Sequence, residues 1–297
     1  MVFAVYFFLN IHKFKILLHA NLYLLVVIVL FDFLNIASNG LFVKFSLRPF
    51  RKHISTVEST YVALISSVGN FFAPVGSGFG FRAVYLKKRH GLAYGDYMAT
   101  LYGNYIIVFL VNSFFGLLAL YLLRAHHSNE FFVLVMVFGG VFLVSLLLSL
   151  IKVPSHLLER DIKNKYMNKL AKIFFQMLDG WNGIVANRLL MIQLILLVMV
   201  NFLFSLLVAK TEIVALHLTI SFPALLLFSV LGSLSLFVSV TPANLGVKEA
   251  IYLFSSTVIG FSVPQILSIA LIDRGVLFVV LVVLWAATSR LKLAKIR

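Results

Sequence analysis

The chain has no cysteine, which excludes disulfides and thiolate metal sites alike. Acid is scarce: 10 Asp and Glu stand against 25 Lys and Arg, for a formal net charge of +15. Charged residues make up only 12% of the 297, about half of what a soluble domain carries. Proline occurs six times. What fills the chain is apolar: 62% of residues are hydrophobic and 14% aromatic, with a mean hydropathy of +1.04. That is the composition of a polytopic membrane protein, and in lipid an open chain satisfies its backbone by forming helices. The fold class expected is therefore all-α. Net charge of this size would also suit nucleic acid, but the cations fall in short clusters between apolar runs, as cytoplasmic loops require, so no nucleic-acid partner is expected. The eight histidines lack ligand spacing, and His126-His127 reads as a solvated loop pair, so neither a metal nor a cofactor is expected. The opening "MVFAVYFFLN" is apolar but too short to span, and no small-residue cleavage site follows it; its role stays open.

A spanning helix needs about 20 mostly apolar residues. Five segments meet that requirement: 20–43, 98–123, 131–151, 188–209 and 264–288. Two more apolar regions, 59–81 and 213–260, are each broken by proline and glycine. The first has Lys44, Arg48, Arg51 and Lys52 before it and Arg82, Lys87, Lys88 and Arg89 after it, so both flanks belong in the cytoplasm. It should enter and leave on one side, as a re-entrant hairpin over 59–86. The topology then puts "RAHHSNE" outside, 152–187 inside, "KTEIV" outside and the tail "SRLKLAKIR" inside. The second broken region must dip from the outside. The single transmembrane domain 1–297 thus reads as an inverted repeat: a first half at 20–130, a linking span and cytoplasmic helix at 131–187, and a second half at 188–297 whose hairpin is 213–260.

The two breaks match. Residues 70–83 read "NFFAPVGSGFGFRA" and 235–250 read "SLFVSVTPANLGVKEA"; in each an aromatic run meets a proline, a glycine four positions on, then charge and alanine. Non-helical backbone cannot face lipid, so the breaks must be buried in protein or line a wet cavity. A half-helix that restarts after a break points free N–H groups and partial positive charge into the membrane, which suits an anion. Pro74, Gly76, Ser77, Gly78 and Arg82 are the candidate substrate-binding residues of the first break, and Pro242, Asn244, Gly246, Lys248 and Glu249 those of the second. The competing reading is that Gly and Pro merely kink packed helices while Arg82 and Lys248 snorkel.

Asp273 and Arg274 fall in the middle third of the last span, where an isolated ion is costly, and join the candidate site. Glu249 could pair with Arg274 or Arg82, and Asp273 with Lys248; sequence does not choose. Asp32 fits a helix-to-helix hydrogen bond or a functional role equally well, and Asn104 and Asn201 read as helix-to-helix glue. Over 155–178, Leu158, Ile162, Tyr166, Leu170, Ile173 and Met177 recur at helical steps among cations. That pattern predicts an amphipathic helix, on the inner leaflet or packed on the cytoplasmic loops.

The pattern P-x-x-x-G-x-x-x-R-A at 74–83, "VYLKKRHGLAYGD" after it, P-x-x-x-G-V-K-E-A at 242–250 and a last helix with Arg274 resemble the transmembrane domain of lysylphosphatidylglycerol synthases. That flippase-like family also occurs as stand-alone membrane proteins. The resemblance runs over nearly the whole chain from about residue 20. It implies movement of lipids or polyprenol-linked head groups between leaflets, and roles for Pro74, Gly78, Arg82, Pro242, Gly246, Glu249 and Arg274. The chain departs from the pattern at Gly103-Asn104, where many members carry Glu-Arg. No aminoacyl-transferase domain, Walker motif or nucleophile with a nearby base is recognisable, so no enzyme is expected. The expected function is a membrane lipid translocase in a bacterial inner membrane. The alternatives are a lipid-binding membrane partner of an envelope-lipid biosynthetic enzyme and a secondary transporter of a small anion.

Overall fold

The computed structural model describes residues 11–73, 76–123, 129–150, 165–235 and 241–293. Among them the chain is helical, with no strand. After a 3-10 helix at Ile11–His19 come α1 (Leu22–Ser46), α2 (Thr56–Phe72), α3 (Ser77–His90), α4 (Tyr94–Leu123), α5 (Asn129–Leu150) and α6 (Lys165–Ala186). They are followed by α7 (Arg188–Ala215), α8 (Phe222–Leu234), α9 (Val247–Phe254), the short α10 (Ser256–Ile259) and α11 (Val263–Leu293). Five helices, α1, α4, α5, α7 and α11, are long and apolar enough to cross a membrane. They are the five segments the hydropathy singles out.

The starts are written locally. Asn21 Oδ1 accepts from Tyr23 N, Ser55 Oγ from Glu58 N, Asn187 Oδ1 from Leu190 N, and Ser221 Oγ from Ala224 N. Each such cap contributes about 1 kcal/mol. One boundary differs in a way that matters. The expected loop "KTEIV" is helical: α7 runs on through Ala215 and carries Glu212 into the interior at 3% exposure. The reason is that Ile213, Ala215 and Leu216 are fully buried, so the apolar face of α7 continues past Lys210. The helical part of the second hairpin accordingly begins at Phe222.

Packing between helices in lipid gets little help from hydrophobicity, so polar contacts and close approach decide it. Along the α1–α7 seam, Asn35 Nδ2 donates to Ser205 Oγ at 2.8 Å, and Asn201 Nδ2 donates to Asn35 Oδ1 at 2.8 Å and to Ser38 Oγ at 3.0 Å. Asn201 is therefore helix glue, as its type suggested. α2 and α3 run antiparallel as one hairpin, and α8 and α9 as another. α2 packs on α1 and on α11; α8 packs on α7 and on α4. The α2–α3 hairpin thus lies between α1 and α11, and the α8–α9 hairpin between α7 and α4. The turn at Pro242–Asn244 rests on α2, which brings the second break to the first hairpin.

α6 begins at Lys165 and runs to Ala186, past the expected end at 178; residues 151–164 lie outside the described residues. Its later turns are anchored because Trp181 and Ile184 are buried, Trp181 Nε1 donating to the Leu148 carbonyl at 3.3 Å. Leu170 and Phe174, nearer its start, are exposed.

Candidate functional site

In the first break Pro74 lies outside the described residues. α2 closes with Ala73 N donating to Gly69 O at 3.0 Å, and α3 restarts from Gly76 at φ 63, a left-handed cap that glycine adopts without steric cost. Ser77 Oγ donates to Gly69 O at 2.8 Å, Gly78 N to Asn70 Oδ1 at 3.0 Å, and Arg82 Nε to Ser66 Oγ at 2.9 Å. The two helices meet backbone to backbone at Gly78, where a Cβ would run into the Ser66 carbonyl. Ser77, Gly78 and Arg82 are thus drawn onto one polar strip of α2 formed by Ser66, Gly69 and Asn70, while Gly76 supplies the cap. Sequence reasoning passed over Ser66 and Asn70; their signal was the four-residue spacing that puts two polar side chains on one face of an apolar helix.

Arg82 is partly buried. Its guanidinium lies 5.7 Å from the centre of the Phe79 ring and within electrostatic reach of Tyr97 and Tyr105. Tyr97 holds the turn by donating to the Phe79 carbonyl at 2.8 Å. Among the described residues Arg82 has no carboxylate partner.

The second break is tighter and already neutralised. Ala243 at φ 50 and Asn244 at φ 57 are both left-handed, which costs a non-glycine residue on the order of 1 kcal/mol or more. Asn244 is held by its Nδ2, which donates to Ser235 O at 2.9 Å, and by its carbonyl, which accepts from Arg274 Nη2 at 3.3 Å. Gly246 caps α9, and its N–H donates to Glu249 Oε2 at 2.9 Å. Glu249, 6% exposed, forms an ion pair with Arg274, and Lys248 Nζ lies 2.7 Å from Asp273 Oδ2. The choice left open by sequence is thereby made: Glu249 pairs with Arg274 and not with Arg82, and Asp273 pairs with Lys248. Pro242 opens the turn, its side chain lying outside what is described. Asn244 Oδ1 and Arg274 Nε are buried without hydrogen-bond partners, a polar deficit beside the break.

Behind Lys248 stands a feature that the sequence reading missed. Glu212 on α7 is buried with its Oε1 unpartnered, and it and Asp32 on α1 lie within electrostatic reach of Asp273 and Lys248. The signal was a lone acid in an apolar run, obscured because Lys210 and Glu212 resembled a loop.

At the far end of the first hairpin, Glu58 accepts from Tyr85 Oη at 2.8 Å and lies 2.9 Å from His90 Nε2 and 3.1 Å from Arg89 Nε. Burial works against its charged form, but these hydrogen bonds and charges outweigh it and hold the carboxyl below its ordinary value.

A family model described as the lysylphosphatidylglycerol synthase TM region matches residues 1–284. The chain belongs to that family. The match reaches residue 1, so it includes the opening stretch whose role composition left open. The membership makes this an integral membrane protein, in agreement with its spanning helices. Neither the comparison with curated proteins nor that with solved structures gives a match. Where the resemblance anticipates a Glu-Arg pair, this member of the lysylphosphatidylglycerol synthase TM family has Gly103, and a Cβ there would come within 2.6 Å of the Trp181 ring. A glutamate at 103 would have to displace the tryptophan that anchors α6.

Proposed function

We propose that the protein moves a phosphate-bearing lipid, a phospholipid or a polyprenyl-linked head group, between the leaflets of a bacterial inner membrane. The observation that carries this reading is the partly buried Arg82 guanidinium with no acidic partner, at the break of the first hairpin. A buried cation is costly unless an anion joins it. A planar guanidinium presents a fork of donors suited to phosphate. The lipid tails would stay in the bilayer while the head group passes the breaks.

Both hairpins enter and leave the membrane on one side in this reading, and the two halves form an inverted repeat. The reciprocal packing of α2 on α11 and of α8 on α4 supports that arrangement. The two helix amino ends aimed at the breaks are held by the protein's own groups, Asn70 at Gly78 and Glu249 at Gly246. A head group would bind by displacing the Asn70 amide oxygen, and Glu249 by leaving Gly246 to meet Arg274 alone. No covalent chemistry is called for, so the protein acts as a carrier rather than an enzyme.

The test is leaflet exchange in proteoliposomes carrying head-labelled reporters, read by dithionite quenching. Exchange of phosphate-bearing reporters above that of empty vesicles is expected. A non-transporting protein that holds lipid for an enzyme would give binding without exchange. Exchange limited to a soluble anion, with no lipid moved, would sink the lipid reading.

A further inference from the structure

α6 packs against the first half of α4 at glycines. A Cβ on Gly95 would run into the Gln176 side chain and one on Gly103 into the Trp181 ring, while one on Gly180 would meet Ala99. These contacts advance together along both helices, so α6 runs beside α4 in the same direction and its first turns reach past the start of α4. Between those turns and the α3–α4 turn is a cavity of about 700 Å³, whose lining includes Lys87, Gly91, Tyr94, Asn168, Lys172 and Gln176.

Three lysines converge there. Lys87 Nζ lies 3.9 Å from the centre of the Tyr94 ring, Lys52 Nζ would lie 3.7 Å from a Cβ on Gly91, and Lys172 stands exposed on the α6 wall. Among the described residues none of the three is in an ion pair. Two acids are near: Asp96, which hydrogen-bonds Gln176 and lies within electrostatic reach of Lys52, and Asp179. Neither lines the cavity, so positive charge is in excess inside it. The carbonyl end of α3 does not offset that charge, because Gly91 N donates to the Lys87 carbonyl at 3.0 Å and Leu92 N to the Leu86 carbonyl at 3.3 Å. The amino end of α4 opens on the cavity at Tyr94 and Gly95 and adds partial positive charge.

An apolar stripe beside the cavity tells what kind of anion suits it. Leu170, Phe174 and Trp181 follow one another on α6 at steps of four and seven, which places them on one face. Trp181 is buried in protein, whereas Leu170 and Phe174 are 64% and 53% exposed. Tyr94 and Met98, four residues apart on α4, are exposed as well. Lys172 falls between Leu170 and Phe174 in sequence and so points about 160° away from each around the helix. A helix with apolar side chains on one face and cations on the other lies in the membrane interface. The cavity is then at head-group depth, on the side that its cations assign to the cytoplasm. A phosphate ester carrying acyl chains matches both features, with charge for the lysines and chains for the stripe.

We infer that this cavity binds the phosphate of an anionic lipid from the cytoplasmic leaflet, with Lys52, Lys87 and Lys172 as its counter-charges. The site is separate from the first break. Lys87 follows Arg82 by five residues on α3, which sets the two about 140° apart around the helix and roughly 7.5 Å apart along it. A lipid held here ties the first turns of α6 to the turn that follows the first hairpin. Binding at this site does not depend on the lipid-translocase reading.

Native mass spectrometry of the purified protein in detergent, titrated with phosphatidic acid, phosphatidylcholine or inorganic phosphate, reads the site without any exchange between leaflets. The wild type should retain phosphatidic acid in preference to phosphatidylcholine, whose own amine cancels its charge. Lys87→Gln and Lys172→Gln should each weaken that retention by roughly fivefold. Leu170→Ser with Phe174→Ser should weaken it too, and Lys210→Gln on α7 should not. All five side chains are exposed, so the variants keep the fold. Equal retention of the two lipids by the wild type, or unchanged retention in both Lys87→Gln and Lys172→Gln, overturns the site. Inorganic phosphate that binds through the same lysines, while Leu170→Ser with Phe174→Ser retains lipid as the wild type does, overturns the lipid assignment in favour of a soluble phosphate.

Discussion

The two hairpins share a sequence motif and differ in charge. In the first, Arg82 has a hydroxyl and aromatic rings for company and no acid among the described residues. In the second, both cations are closed into ion pairs, and further carboxylates stand behind one of them. A matching motif therefore sets a break and a positive-φ glycine cap in each hairpin, Gly76 in the first and Gly246 in the second, but at different places in the motif and without matching chemistry. In the proposed reading the first hairpin receives an anion, whereas the second holds its own charges in ion pairs.

Stability separates them most strongly. Lys248→Leu leaves the partly buried Asp273 without its ammonium and should cost about 2–3 kcal/mol, below the range for a fully buried pair, while Lys248→Leu with Asp273→Leu recovers most of that loss. Arg82→Leu strands no acid and should cost clearly less. Thermal unfolding of the purified variants in detergent measures all three. Equal losses for Lys248→Leu and Arg82→Leu would break the contrast.

Glycine substitutions probe the same difference through the backbone. Gly78→Ala drives a methyl into the Ser66 carbonyl, and overpacking of this kind costs about 1–3 kcal/mol. At Gly246 the space is open and only the φ of 85 resists a side chain, so Gly246→Ala should cost about 1 kcal/mol. The same unfolding series orders the two.

Much of this was readable before any coordinates, and the parts that were not have physical reasons. The five spans follow from runs of apolar residues long enough to cross lipid, and the breaks from Pro and Gly in segments that cannot tolerate open backbone. The ion pairs were narrowed to a few choices but not decided, because pairing depends on how α9 faces α11, and charge type alone carries no such direction. Glu212 was lost because hydropathy read beside Lys210 as a loop, whereas burial of Ile213 and Ala215 keeps the helix going. Ser66 and Asn70 were overlooked since single polar residues in an apolar helix signal nothing until the partner helix is placed against them.

The smallest effect belongs to the base of the first hairpin. Glu58 is held below its ordinary value, so its contribution to stability is present above the unfolded pKa near 4.5 and disappears as pH falls through the lower folded value. The difference in unfolding temperature between wild type and Glu58→Gln should be small at neutral pH and shrink toward zero in acid. A difference that grew on acidification would reverse the assignment.

The most direct test of the account is the rate of leaflet exchange of a phosphate-bearing lipid reporter by Arg82→Ala, in the same vesicles and at the same folded protein content as the wild type. The account predicts that exchange falls to the level of empty vesicles while the protein stays inserted. Exchange at the wild-type rate in the folded variant would contradict it and move the anion site away from the first hairpin.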